Sequence, residues 1–221
     1  MLLALILAAS SPTNTVGRFD RVNSRTPQGR SCRGMAGGRC YPCVCQNSTN
    51  IAIQSNGFSS APWFPTGGSV SVTPSDGSSF YLAPDGTNTA SRLTIGLSCA
   101  GTDRIVYQLA TTAATTHTAS FWVKSISGTV SVLISNGGVA GSATNCAVSG
   151  EWTQCSHTRL TDVSTYFSIG CTTTYSGGVD TGPSDVLIWQ GQLETGSTAT
   201  CPITTTVMPV SRTGPCSAVC Q

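Results

Sequence analysis

The chain has 221 residues, of which 9% are charged and 24 are glycine, and its formal net charge is +2. So few charged residues, with so much Gly, Ser and Thr, argue against a helical cytosolic protein and favour an all-β chain with many turns. The basic charge is concentrated near the N-terminus, at Arg18, Arg21, Arg25, Arg30, Arg33 and Arg39. A charge run of this kind is typical of a solvated arm, so we predict no nucleic-acid partner.

The first 49 residues are predicted to lie outside the folded domain. Residues 1–10 contain LLALILAA, which resembles the apolar region of a signal peptide and is too short to span a bilayer. Residues 11–49 are polar and Gly-rich without periodicity, which predicts a poorly ordered arm. Eleven cysteines in the chain indicate an oxidising compartment, hence disulfides and a secreted protein. The CxxCxC spacing of Cys40, Cys43 and Cys45 leaves zinc binding as an alternative.

From about residue 50, short β-like runs alternate with turn sequences such as PSDG and APDGTN. Strands at this frequency, without an amphipathic helical stretch, predict an antiparallel β-sandwich over residues 50–206 and a Cys-containing tail over residues 207–221. The predicted strands are 69–73, 79–83, 90–97, 104–110, 118–126, 129–135, 152–160, 165–171 and 185–193.

Alternation assigns faces to two of these runs. In TASFWVKSI, Phe121 points to the core, while Trp122 and Lys124 point outward to solvent or to a ligand groove. In DVLIWQGQL, strict alternation puts Trp189 on one face with Leu187, Gly191 and Leu193, which predicts that Trp189 belongs to the core.

Cys146 and Cys155 flank a turn signal centred on Ser149-Gly150-Glu151. A hairpin there would place the two cysteines on facing strands, so we predict a disulfide between them.

Four stretches carry a family resemblance, and they occur in order. They are NIAIQSNGFSSAPW (50–63), APDGTNTASRLT (83–94), HTASFWVKS (117–125) followed by GEWTQCSHT (150–158), and DVLIWQGQLETGSTAT (185–200). Together they resemble the jelly-roll β-sandwich domains, of the galactose-binding or carbohydrate-binding-module type, of bacteriophage tail-fibre and bacterial secreted proteins. The resemblance implies an all-β jelly roll that has no enzyme activity and binds a glycan.

Sugar sites combine aromatic platforms with hydrogen-bonding side chains, because sugars present both apolar C–H faces and hydroxyls. Trp63, Trp152 and Trp189 occupy positions where the resembled family fills its core. We therefore predict ligand binding by Trp122, Tyr107 and Lys124, which lie on strand faces of mixed polarity.

A structural calcium ion is a further expectation, because the resembled modules often hold one near the closing strand. Asp185 enters that strand at the matching place and is the predicted metal ligand. Carbonyls near Asn56-Gly57 and the carboxylates of Asp76 or Asp85 would complete the oxygen set, although both aspartates also suit turns.

Catalysis is the weaker interpretation. His117 and His157 are the two histidines of the chain, they are predicted to be exposed strand residues, and no GxSxG motif accompanies them. Glu151 and Glu194 offer a carboxylate pair whose separation the sequence leaves open. We predict a non-catalytic carbohydrate-binding module; the alternatives are a structural or homo-oligomerising fibre domain and a secreted glycoside hydrolase fragment.

Overall fold

The structure is a computed structural model that describes residues 40–41, 46–137, 142–161, 163–213 and 219–220. The predicted signal segment and nearly all of the predicted arm lie outside these residues. Among the described residues, no helix has the length and apolar character needed to cross a bilayer. The strands are β1 Cys40–Tyr41, β2 Ser48–Asn50, β3 Phe64–Thr66, β4 Val70–Thr73, β5 Ser91–Ile95, β6 Arg104–Thr111, β7 Thr116–Ser125, β8 Val130–Gly137, β9 Ser142–Val148, β10 Thr153–Leu160, β11 Ser164–Cys171, β12 Ser184–Thr195, β13 Val210–Arg212 and β14 Val219–Cys220.

Two antiparallel sheets form a β-sandwich, which confirms the predicted fold class. The seven-stranded sheet begins β10-β7-β12. The first half of β12 also pairs with β5, which pairs with β4. The end of β12 pairs with β2, which pairs with β13. The five-stranded sheet has the order β3-β6-β11-β8-β9. β1 and β14 pair separately. Because β2 and β13 belong to the first sheet, the folded part extends beyond the predicted limits of 50 and 206.

The main core lies between the two sheets. Phe121 on β7 and Phe167 on β11 are fully buried and stack with ring centroids 5.8 Å apart. Trp63, from the loop before β3, meets Phe167 edge-on at 4.9 Å. This aromatic cluster fixes how the sheets pack, because interior side chains leave few voids.

The closing strand β12 contains a β-bulge that changes which residues face the core. The pairing of β12 with β7 shifts register between Trp189 and Gln192, and Gln190 has a φ of 50°. Before the bulge, Trp189 points to the outer face. After it, Gly191 and Leu193 point to the inter-sheet core. The strict alternation predicted for this run is therefore wrong beyond Trp189, because the extra residue moves every later side chain to the other face.

Residues 79–83 were predicted as a strand, but they include a 3₁₀ helix at Ser79–Tyr81. The apolar alternation in this run reflects packing onto a sheet rather than strand pairing. Tyr81 and Ala83 are buried in a second apolar cluster, whereas Phe80 and Leu82 are exposed.

Two disulfides join pairs of cysteines that both lie among the described residues. Cys146 and Cys155 are bonded as predicted, but the hairpin that motivated the prediction is absent. β9 pairs with β8 and β10 pairs with β7, so the bond joins the edges of the two sheets. A second bond joins Cys99, before β6, to Cys171 at the end of β11.

Candidate functional site

The aromatic part of the outer face of the seven-stranded sheet is covered. Trp122 and Trp189 are direct partners on β7 and β12 and lie beneath residues 79–90. Trp189 Nε1 donates to Thr89 Oγ1 at 3.1 Å, and Trp152 Nε1 donates to the Leu82 carbonyl at 3.2 Å. The covering segment is thus fixed to the indoles by hydrogen bonds as well as by apolar packing.

A second part of this face, around the end of β12, is covered by residues that follow that strand. Glu194 is fully buried and accepts hydrogen bonds from the backbone and the hydroxyl of Thr200. Gln192 accepts from the Ile203 backbone N–H. Arg212 donates to Thr200 Oγ1 at 2.8 Å, and burial lowers the pKa of this guanidinium while nearby Glu194 opposes that shift. These contacts occupy polar side chains that would otherwise be available to a ligand.

The predicted platform residue Trp122 is therefore placed differently from our expectation. It does point to the outer face, but its side chain is 2% exposed and no sugar can stack on it. Lys124 is half-buried on the same sheet, whereas Tyr107 belongs to β6 of the other sheet. The three predicted ligand residues do not form one site, because they lie on two different sheets.

The outer face of the five-stranded sheet carries an open row of aromatic rings, which we call the aromatic strip: Phe64 on β3, Tyr107 on β6 and Tyr166 on β11. Phe64 and Tyr107 are register partners with centroids 5.8 Å apart and planes inclined at 40°. Tyr107 and Tyr166 are 5.3 Å apart at 75°. Phe64 is 47% exposed and Tyr166 is 39% exposed. The strip is thus a stepped, accessible surface across three neighbouring strands.

Polar and apolar groups border the strip. Leu109, the register partner of Tyr166, is 50% exposed. One row further, Thr111 and Ser164 are partners and both are exposed. A ligand on the rings would therefore meet further apolar surface and two hydroxyl groups at one end of the strip.

The segment that follows β11 holds a fourth aromatic residue near the strip. Tyr175 is half-buried, and burial, followed by the negative charge of Asp103 and the neighbouring Tyr166 and Tyr107, raises the pKa of its phenol. Asp103 accepts hydrogen bonds from the hydroxyls of Thr172 and Thr174. The phenol of Tyr175 is therefore a neutral hydrogen-bond donor at physiological pH, on a segment tied to the sheet.

Asp185 does not fit the calcium role. Arg92 Nε donates to Asp185 Oδ1 at 2.8 Å and the Arg92 terminal nitrogen donates to Oδ2, while Thr94 Oγ1 donates to Oδ1 at 3.1 Å. The hydrogen bond from Arg92 is the main reason that the pKa of Asp185 is lowered. The guanidinium already supplies the positive charge that a metal ion would bring to this carboxylate.

The other expected calcium ligands are also engaged within the chain. Asp76 accepts from the Ser78 backbone N–H, and Asp85 accepts from the backbone and hydroxyl of Thr87. Both aspartates thus form turns of the kind that their sequence context suggests. Cys99, Cys171 and Asp180 also lie close together, but the two sulfurs form a disulfide and have no thiolate to offer a metal.

Neither histidine is an exposed strand residue, contrary to the prediction. His117 is 1% exposed and its Nδ1 contacts Thr161 Oγ1 at 2.8 Å. His157 Nε2 lies 2.7 Å from Ser142 Oγ, the spacing of a nucleophile and its base, but its Nδ1 meets the Thr144 hydroxyl and not a carboxylate. Burial and then Arg159 lower the pKa of His157, so the imidazolium that such a base must become is disfavoured.

Glu151 and Glu194 do not form the carboxylate pair of a glycosidase. Glu151 is exposed in the turn before β10, whereas Glu194 is completely buried beneath Thr200. Two carboxyl groups that act on one glycosidic bond must both reach it, and this arrangement does not allow that.

No known protein family and no curated protein matches this chain. Solved structures do resemble it. One is a family 61 carbohydrate-binding module in complex with β-1,4-galactotriose, with 13% identity over 66% of this chain and 99% of that chain and a TM-score of 0.46. Another is a CBM22 xylan-binding domain from Paenibacillus barcinonensis, with 11% identity over 72% and 100% and a TM-score of 0.46. A third is the enzymatically active domain of bacteriophage CBA120 tailspike protein 4, with 14% identity over 65% and 21% and a TM-score of 0.45. At these identities the likeness concerns the sandwich fold, and the function must be argued from this chain's own residues.

Proposed function

We propose that the sandwich is a non-catalytic carbohydrate-binding domain and that the aromatic strip is its binding surface. The observation that carries the proposal is the contrast between the two outer faces. The indoles of the seven-stranded sheet are covered by the chain itself, whereas the five-stranded sheet leaves Phe64 and Tyr166 exposed and Tyr107 half-exposed between them. Exposed rings can stack on the apolar C–H face of a sugar, and the hydroxyl groups beside them can form hydrogen bonds with the sugar's own hydroxyls.

The inclination of the rings points to the kind of carbohydrate. Neighbouring planes differ by 40° and 75°, so the three rings cannot lie together on one flat surface. A single polysaccharide chain can rotate about its glycosidic bonds and place successive sugar rings against differently inclined side chains. We therefore infer that the ligand is a soluble, individual glycan chain and not the flat face of a crystalline polysaccharide.

The location that we infer is extracellular or virion-associated, as a secreted or phage-tail adhesin component. The disulfides Cys99–Cys171 and Cys146–Cys155 support it, because such bonds persist in oxidising environments.

A binding screen tests the proposal. The protein is run in native gels containing a panel of soluble polysaccharides, beside Tyr107→Ala and, as a matched control, Phe80→Ala. Phe80 is 45% exposed but lies in the segment that covers the other sheet. We expect retardation by at least one polysaccharide for the parent and the control, and loss of retardation for Tyr107→Ala. No retardation of a correctly folded parent across the panel would overturn the proposal.

The strip also fits the rival structural role, because an exposed apolar row can be an interface between copies of the chain. Light scattering separates the two. A monomeric parent that binds glycan supports the carbohydrate role, whereas a stable oligomer that Tyr166→Ala dissociates would favour the structural one.

A further inference from the structure

A polar cleft lies on the same outer face as the aromatic strip. Its volume is about 370 Å³, within the range of sites for small ligands. Ser131 and Asn145, from β8 and β9, form its floor, and Val179, Asp180, Thr181 and Pro183 line it from the segment before β12. Ser131 and Asn145 point outward, since their neighbours Val132 and Cys146 pack in the inter-sheet core.

The chemistry of the cleft suits a neutral, hydroxylated ligand. Asn145 is an exposed amide that both donates and accepts, and Thr181 Oγ1 is buried without a hydrogen-bond partner. Val179 is 44% exposed and supplies apolar surface. The Asp180 carboxylate already accepts from Ser98 Oγ and from the backbone N–H groups of Cys99 and Gly182, so it is not an open cation site.

One segment of the chain connects the cleft and the strip. Residues 172–183 contribute Tyr175, which interacts electrostatically with Tyr107 and Tyr166, and then Val179 and Thr181 in the cleft. β8 lies two strand spacings from β6, and Ser131 lies four residues along β8 from Ser135, which is level with Tyr107. The cleft and the strip are therefore about 16 Å apart, a distance that an oligosaccharide of several rings spans.

This segment is held at several points. The Cys99–Cys171 disulfide precedes it, Thr173 Oγ1 accepts from the Gly101 N–H, and the Ser176 carbonyl accepts from the Ala143 N–H at 2.8 Å. A segment fixed in this way loses little freedom when a ligand binds, which favours affinity.

We infer that the cleft is a second saccharide subsite, which binds the far end of a glycan chain whose near end lies on the aromatic strip. The inference rests on the proposed function. It assigns Asn145 and Thr181 as residues that select for chain length, because a short sugar reaches the strip but not the cleft.

Calorimetric titration tests this inference with a disaccharide and a hexasaccharide from the polysaccharide that the protein binds best. The parent is compared with an Asn145→Ala/Thr181→Val double variant and with Asn47→Ala, an exposed asparagine before β2 in the other sheet. We expect the double variant to bind the hexasaccharide about tenfold more weakly, from the loss of two hydrogen bonds, and the disaccharide as the parent does. Asn47→Ala should match the parent with both sugars.

The double variant is expected to melt at or above the parent temperature, because valine replaces a buried hydroxyl that has no partner. Should it unfold, Ser131→Ala in the cleft floor replaces it in the same comparison. Suppose that the cleft variant binds the hexasaccharide as tightly as the parent does, while Tyr166→Ala still weakens binding. That result overturns the cleft subsite and leaves the aromatic strip as the binding surface. Absence of binding by the parent to either sugar overturns both.

Discussion

Gly191 gives a direct test of the bulge in β12. A Cβ added there would lie 3.0 Å from ring carbons of Phe58, Trp63 and Phe121. The Phe58 and Trp63 rings are themselves in contact, with centroids 4.8 Å apart, so they have little room to move away. Overpacking of this kind lowers the free energy of unfolding by about 1–3 kcal/mol. Gly→Ala also raises it by about 0.4–1 kcal/mol, because alanine restricts the unfolded chain. We expect Gly191→Ala to lower the free energy of unfolding by about 1–2 kcal/mol.

Urea unfolding followed by tryptophan fluorescence measures this loss, with disulfides left intact. Gly150→Ala is the matched control, because a Cβ at Gly150 meets nothing within 4 Å. The control should stay within about 0.5 kcal/mol of the parent. If both alanine variants are equally stable, Gly191 does not face the aromatic cluster, and the face switch at Gln190 is refuted.

Four further predictions concern a histidine, an ion pair, metal binding and a disulfide. Burial lowers the pKa of His157 below 6.5, so the unfolded chain binds a proton at a higher pH than the folded chain does. The contribution of His157 to stability should therefore be full above about pH 6.5 and fall as the pH drops toward the folded pKa. Thermal melts of His157→Gln should show a smaller loss of stability in acid than those of the parent. Asp185→Asn should lower the free energy of unfolding by no more than about 1 kcal/mol, since its ion pair with Arg92 is partly exposed. A chelator should leave the parent melting temperature unchanged, and a clear fall would restore the calcium interpretation. Replacing both Cys146 and Cys155 by alanine should cost about 2–3 kcal/mol for so short a loop, and urea unfolding that shows no loss would contradict a bond between the sheet edges.

Local alternation predicted the strand faces well where strands were regular. Phe121 faces the core and Trp122 the outer side, as the pattern of β7 indicates, because side chains of an extended strand alternate strictly. The same rule failed in β12, where Gln190 takes a left-handed conformation that nothing in the local pattern indicates. The resemblance of the sequence to sandwich modules was sufficient for the fold class but not for this detail.

The site was harder to predict, because exposure depends on segments far away in the sequence. Trp122 loses its access to ligand through residues 79–90, which no pattern within β7 reveals. Tyr107 was predicted as a ligand residue and remains one in our proposal. Tyr166 was missed, although its alternation with the buried Phe167 was a usable signal. Phe64 gives no such signal, because it begins a three-residue edge strand directly after Trp63, and so short a strand shows no alternation.

The most direct test of the carbohydrate-binding proposal is a titration of Tyr166→Ala and Lys124→Ala with the glycan that the parent binds. Tyr166 belongs to the open strip, and Lys124 to the other sheet. Removing one stacking ring should cost about 1.5–3 kcal/mol of binding free energy, or roughly 10–150-fold in affinity. We predict that loss for Tyr166→Ala and parental affinity for Lys124→Ala. Unchanged binding by Tyr166→Ala, with a loss for Lys124→Ala, would contradict the account and return the site to the seven-stranded sheet.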